Sequence, residues 1–193
     1  MAGLLYLTAS DFHLGKGQTG KLLYNNIARY SVVLFYAPSC EFSVPYLNIF
    51  KSLPGNIGGC TFGIANIQKH MAIVKESKAT ISPIEFVPLV IYYVDGRPFM
   101  KYNGDAVCDQ IVSFICDVTK KLSEPLKSGF HENKIKQSEK EGKIPEYCIG
   151  KPKQTSLKFV GDMICNDGVC YLSEGNDVAK AQQGQKNQAQ RRQ

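Results

Sequence analysis

Residues Ser31 to Pro45 read SVVLFYAPSCEFSVP. Five strand formers (Val32, Val33, Leu34, Phe35, Tyr36) run into Ala37-Pro38-Ser39, and Cys40 follows at once. An unbroken apolar run of this length predicts a strand covered on both faces, not one with a wet side. Beyond Cys40, Tyr46, Leu47, Phe50 and Leu53 recur at helical spacing until Pro54-Gly55 stops them, with Pro45 early enough to remove one amide and bend the first turns. A buried strand that hands a cysteine to a helix N-terminus puts the sulfur where the helix dipole and unpaired amides favour a thiolate. The local motif is Cys40-Glu41-Phe42-Ser43, so a second cysteine three residues on is missing.

The flanks extend this unit into an α/β chain. Leu4 to Thr8 predicts a short first strand, and a helix is expected over Leu22, Leu23, Ile27 and Tyr30 with Thr19 as its N-cap. Gly15 to Lys21 spells GxxxxGK, but Leu22 stands where a phosphate-binding loop needs a magnesium-holding hydroxyl, so a Gly-rich turn is the simpler reading. Cys60 to Ile67 predicts a strand, Met71 to Lys78 a helix, and Leu89 to Val94 a buried strand. Asp95-Gly96 then signals a hairpin into Pro98 to Tyr102. Val107, Ile111, Phe114, Ile115, Val118 and Leu122 mark a last amphipathic helix, with Cys108 and Cys116 on or beside its apolar face.

Bulk properties narrow the function classes. The 193 residues suffice for one core and an extension. The net charge of +6 is shared evenly between the two parts of the chain, and no basic block marks a nucleic-acid surface. No apolar run reaches the roughly 18–20 residues of a membrane span, and the N-terminus lacks the basic and apolar regions of a signal peptide. Reduced thiols are therefore the default for the seven cysteines. No specific nucleic acid, membrane span, metal or cofactor is expected.

Taken in order and spacing, Ala37-Pro38-Ser39-Cys40, Val87-Pro88, and Asp95-Gly96 with Gly104 eight residues on resemble the thioredoxin-like superfamily over residues 1–123. The resemblance implies a central mixed sheet flanked by helices, and a cis peptide bond before Pro88. It also implies that the strand edge there docks a client backbone beside Ser39, Val87 and Pro88. Several parts of the family's machinery are replaced. Ser39 stands for the tryptophan, Ser43 for the resolving cysteine, Leu34 for the buried aspartate and Ile64 for its lysine. All four serve release of a mixed disulfide by internal attack, so their joint loss is coherent. The CEFS motif resembles the monothiol CxxS sites of disulfide-isomerase-like proteins that hold clients covalently. On that pattern Cys40 is the attacking sulfur, aided by the Ser43 hydroxyl and opposed by the like charge of Glu41.

From residue 124 the composition changes. A polar, Lys-rich linker leads to KIPEYCIGKP, and Leu157 to Leu172 predicts two strands around the Asn166-Asp167-Gly168 turn. Cys165 and Cys170 flank that turn at a spacing that allows a cross-strand disulfide, although small-core packing of these thiols is the simpler reading. With Cys148 they lack a fourth zinc ligand, since His131 is far upstream. The expected division is a thioredoxin-like domain (1–123), an extension with linker and β-hairpin (124–177), and a basic Gln-rich tail (178–193). The Gly58 to Gly63 and Ile144 to Gly150 stretches also resemble thioredoxin-domain proteins of large double-stranded DNA viruses.

Three functions stay open at this point. One is a structural or interaction protein with a degenerate site, a minor virion component being one form of it, with capsid proteins among its assembly partners. The second is a monothiol redox protein that captures protein clients through Cys40. The third is a dithiol oxidoreductase in which Cys60 or an extension cysteine reaches Cys40. The location expected is the cytoplasm, or the virion for a viral protein.

Overall fold

The apolar run of Cys40's strand has its physical cause in what covers it. In the computed structural model, which describes residues 3–17, 20–123, 143–148, 164–166 and 169–171, the first four strands are β1 (Leu4–Leu7), β2 (Phe12–Lys16), β3 (Lys21–Asn25) and β4 (Tyr30–Tyr36). Helix α1 (Ser43–Ser52), β5 (Thr61–Asn66) and helix α2 (Met71–Ser77) follow. Then come β6 (Phe86–Val87), β7 (Leu89–Val94), β8 (Arg97–Asn103) and helix α3 (Cys108–Ser123). The extension adds β9 (Glu146–Cys148), β10 (Ile164–Asn166) and β11 (Val169–Tyr171).

Six strands form the main sheet in the order β1-β5-β4-β7-β8-β9. The pairs β1/β5, β4/β5 and β8/β9 are parallel, and β4/β7 and β7/β8 are antiparallel. This mixed sheet with its flanking helices is the thioredoxin-like fold implied by the sequence motifs. The Val87–Pro88 peptide is cis. Asp95 and Gly96 both take positive φ (47° and 76°), as a two-residue hairpin turn requires.

Successive residues of β4 face opposite layers. Val33 and Phe35 join Leu7, Phe12, Leu23, Ile73, Val87 and Tyr93 on one side. Val32 and Leu34 join Phe50, Phe62, Tyr92, Ile111 and Phe114 on the other. Helices α1 and α3 therefore cover one face, while α2 and the β2–β3 hairpin cover the opposite one. A register irregularity opposite Tyr92 and Tyr93 leaves Phe99 as an extra residue on β8, so that Phe99 and Met100 share one layer and Pro98 is accommodated opposite Tyr93.

The hairpin corrects one expectation. Residues Lys21 to Asn25 form a strand paired with Phe12 to Lys16, and no helix runs over residues 22–30. The apparent helical face mixes residues of two layers: Leu23 and Ile27 pack on the α2 side, whereas Tyr30 opens β4 and packs on the α1 side. Asn25 settles the path. Its amide donates to the Gly96 carbonyl (2.8 Å) and its buried side chain donates to the Ser31 hydroxyl (3.1 Å). A Cβ at Gly96 would collide with the Asn25 carbonyl oxygen, so the turn glycine is required for close approach as well as for φ. The GxxxxGK stretch consequently spans a hairpin, without the helix N-terminus that cradles phosphate. A second, smaller correction concerns α3: Cys108 and Cys116 are exposed, and the buried stripe is Ile111, Phe114, Ile115 and Val118.

The extension joins the body twice. Strand β9 pairs along β8, with Tyr147 opposite Tyr102. The Tyr147 ring packs 5.0 Å from that of Phe114, and its hydroxyl donates to Asp117 at 2.7 Å. The predicted hairpin forms from β10 and β11, and β11 pairs with β6. The expected linker (124–141) and tail (178–193) lie outside the described residues.

Candidate active site around Cys40

Two tight turns carry the chain from β4 into α1. The Cys40 amide donates to the Ala37 carbonyl (3.0 Å), and the Ser43 amide donates to the Cys40 carbonyl (3.0 Å). Pro38 suits the first turn because its ring fixes φ where such a turn needs it. The helix begins at Ser43, so Pro45 falls within its first turn, where amides have no intrahelical acceptor to lose. Cys40 thus sits just ahead of the helix, in the layer that holds Val87.

Cys40 is fully buried and disulfide-bonded. Its Sγ lies 3.7 Å from the carbonyl oxygen of Val87, the residue before cis-Pro88. The structure therefore brings Cys40, Val87 and Pro88 together at one end of the sheet. Ser43 is also buried, and its Oγ accepts a long hydrogen bond from the Ala37 amide (3.5 Å). That bond ties the helix start back to the strand end. Ser39 is exposed; its amide donates to Gln68 Oε1 (3.4 Å), and its hydroxyl accepts from Gln68 Nε2. Gln68 was missing from the sequence reading. The available signal was its place just past the carboxyl end of β5, the strand parallel to β4.

Leu34 and Ile64 are register partners on β4 and β5 and are essentially inaccessible to water. The positions that the resemblance gives to a proton-accepting aspartate and its lysine are thus apolar core. Cys60 is a free, buried thiol in the α1–α3 layer, on the opposite face from Cys40. It precedes β5 while Cys40 follows β4, and six paired positions from Ser31↔Thr61 to Tyr36↔Asn66 separate the two ends. At about 3.3 Å per residue they are roughly 20 Å apart. Cys60 therefore does not reach Cys40. Burial pushes its thiol up to about 12.

The extension cysteines take defined backbone positions. Cys170 on β11 is opposite Val87 on β6, and Cys165 on β10 is opposite Cys170. Cys148 ends β9, opposite Asn103. The His13 and Tyr24 rings stack at 5.6 Å, and His13 Nδ1 hydrogen-bonds with Asn26 (3.0 Å).

No family profile matches the chain. It is 28% identical over 183 residues to the uncharacterized protein 196R of Invertebrate iridescent virus 6, covering 91% of this chain and 94% of that protein. It is 29% identical over 164 residues to the uncharacterized protein 020R of Invertebrate iridescent virus 3, covering 82% and 93%. Among solved structures it is similar to a thioredoxin mutant of Halobacterium salinarum (15% identity, TM-score 0.44, 60% of this chain and 90% of that one). It is also similar to zinc-bound human ERp44 (17% identity, TM-score 0.44), matching 60% of this chain but only 30% of the ERp44 chain.

Proposed function

We propose that this chain is a thioredoxin-fold thiol–disulfide exchange protein that acts on disulfide-bearing protein clients through Cys40. One observation carries the reading: Cys40, at the helix entry beside the cis-proline strand, is engaged in a disulfide, whereas Cys60, Cys108 and Cys116 are free thiols. A thiolate at that place is favoured by the α1 dipole, and the same stabilisation makes Cys40 a good leaving group when a disulfide is broken there. Ser39 and the backbone flanking cis-Pro88 are the groups assigned to hold the client strand. The test is trapping. After reduction, the protein is incubated at neutral pH with a peptide disulfide, and a reducible adduct is expected that Cys40→Ser lacks. Absence of an adduct in the unmutated protein overturns the reading.

A second reading is a structural or interaction protein, a virion component among the forms it takes. It is favoured by the full burial of Cys40 and by the apolar Leu34–Ile64 pair, which together fit a sulfur used as a permanent staple. On that reading the Cys40 bond survives millimolar glutathione without denaturant, and the protein copurifies with particles. On the exchange reading the bond opens under the same treatment.

A further inference from the structure

We propose that Cys170 is the sulfur bonded to Cys40, and that the β10–β11 hairpin supplies it as the resolving thiol that position 43 lacks. The resolving role rests on the exchange reading above; the linkage is argued independently of it. Cys40 is in a disulfide, while Cys60, Cys108 and Cys116 are free thiols, which leaves Cys148, Cys165 and Cys170. Strand register separates these three. Cys170 is opposite Val87, whose carbonyl oxygen is 3.7 Å from Cys40 Sγ. Directly opposed residues of an antiparallel pair occupy the same face, and Val87 belongs to the layer that contains Cys40. Cys165 is on the next strand out, about 4.8 Å farther from β6. Cys148 is on β9, three strand spacings or about 14 Å across the main sheet from β4. Disulfide-bonded residues have Cα atoms within about 7 Å, so Cys170 is the position that fits. It has one sulfur, so this bond and a Cys165–Cys170 bond exclude each other.

The chemistry balances with the client disulfide as oxidant. The Cys40 thiolate attacks one client sulfur, forming a mixed disulfide and expelling the other client sulfur as a thiolate. The Cys170 thiolate then attacks Cys40 Sγ; the Cys40–Cys170 bond forms, and the remaining client sulfur leaves as a thiolate that takes up a proton. Two chain thiols are oxidised and one client disulfide is reduced to two thiols. A dithiol reductant returns the pair to the reduced state. The hairpin has a second effect. Strand β11 occupies the β6 edge assigned above to client docking, so the oxidised chain carries its own stand-in for a client there.

Two measurements on the full chain test this. In the unreduced protein, with free thiols alkylated before digestion, a peptide pair joining Cys40 to Cys170 is expected. A Cys165–Cys170 pair with Cys40 alkylated, or Cys40 joined to Cys148 or Cys165, overturns the linkage. In the reduced protein, a fluorescent peptide disulfide is added and decay of its Cys40 adduct is followed. Cys170→Ser is expected to lengthen the adduct lifetime at least about tenfold over both the unmutated chain and Cys165→Ser. Equal lifetimes overturn the resolving role. If no chain forms an adduct, the exchange reading and the resolving role fall together, whereas the linkage is judged by the peptide map alone.

Discussion

Cys40 follows β4 and Cys60 precedes the neighbouring β5, and both are buried, yet they differ in almost everything that governs sulfur chemistry. Cys60 enters β5 at the far end of the sheet, in the layer beneath α1 and α3, and stays a free thiol that desolvation keeps protonated. Cys40 leaves β4 at the opposite end and on the opposite face, ahead of a helix and beside the Val87 carbonyl, and it is oxidised. Burial is common to both, so burial does not separate the oxidised sulfur from the free one. What differs is the neighbouring backbone: a helix entry and a strand edge at one end, a plain strand start at the other.

The sharpest way to break this contrast is exchange of function. Cys40→Ser is expected to abolish adduct formation, whereas Cys60→Ala leaves it intact; adducts on Cys60 in the native protein would overturn the contrast. The next largest effect concerns the layer between them. An aspartate placed at this core position by Leu34→Asp buries a charge against Ile64 and is expected to cost about 3–5 kcal/mol in denaturant unfolding. A stability change under about 1 kcal/mol would mean that the site reorganises to accept a titratable group.

Cys60→Ala itself is expected to cost about 1 kcal/mol at pH 7 and to flatten the alkaline limb of the stability curve. The sign follows from its raised pKa. In the unfolded chain the thiol ionises near 9.0, but in the fold it holds its proton up to about 12. Its contribution is whole below pH 9 and is lost as the pH climbs from 9 toward 12. Unfolding between pH 8 and 11 measures this. The smallest effect is at the extension. The Asp117 carboxylate accepts the Tyr147 hydroxyl proton and, with burial, holds that phenol up to about 12. Tyr147→Phe is expected to leave neutral stability nearly unchanged and to raise amide exchange along β9, while leaving exchange along β10 and β11 unaltered. Uniform loosening of all three strands would show that the two attachments form one cooperative unit.

Much of this organisation was legible in the chain. The run from Val32 to Tyr36, the helix stop at Pro54-Gly55 and the Asp95-Gly96 turn are local signals, and each marks its element within a few residues. Val87-Pro88 was legible only through resemblance, since nothing local separates a cis from a trans proline there. The β2–β3 hairpin was not legible because Leu22, Leu23, Ile27 and Tyr30 imitate a helical face, whereas the tertiary ties of Asn25 to Gly96 and Ser31 impose a strand. At the site, Cys40 and Ser43 could be read from their motif. The approach of β11 to β6 could not, because a three-residue strand more than 80 positions away in the chain leaves no local trace of its partner.

Strand β9 has one further consequence. By lying along β8 it becomes one lateral margin of the main sheet, three residues long, with β1 as the opposite rim. There Leu5 and Tyr6 are exposed, at 41% and 71%. Short edge strands resist strand-to-strand joining between copies or with another protein's extended segment, so the three-residue margin at β9 offers less backbone for it than β1 does.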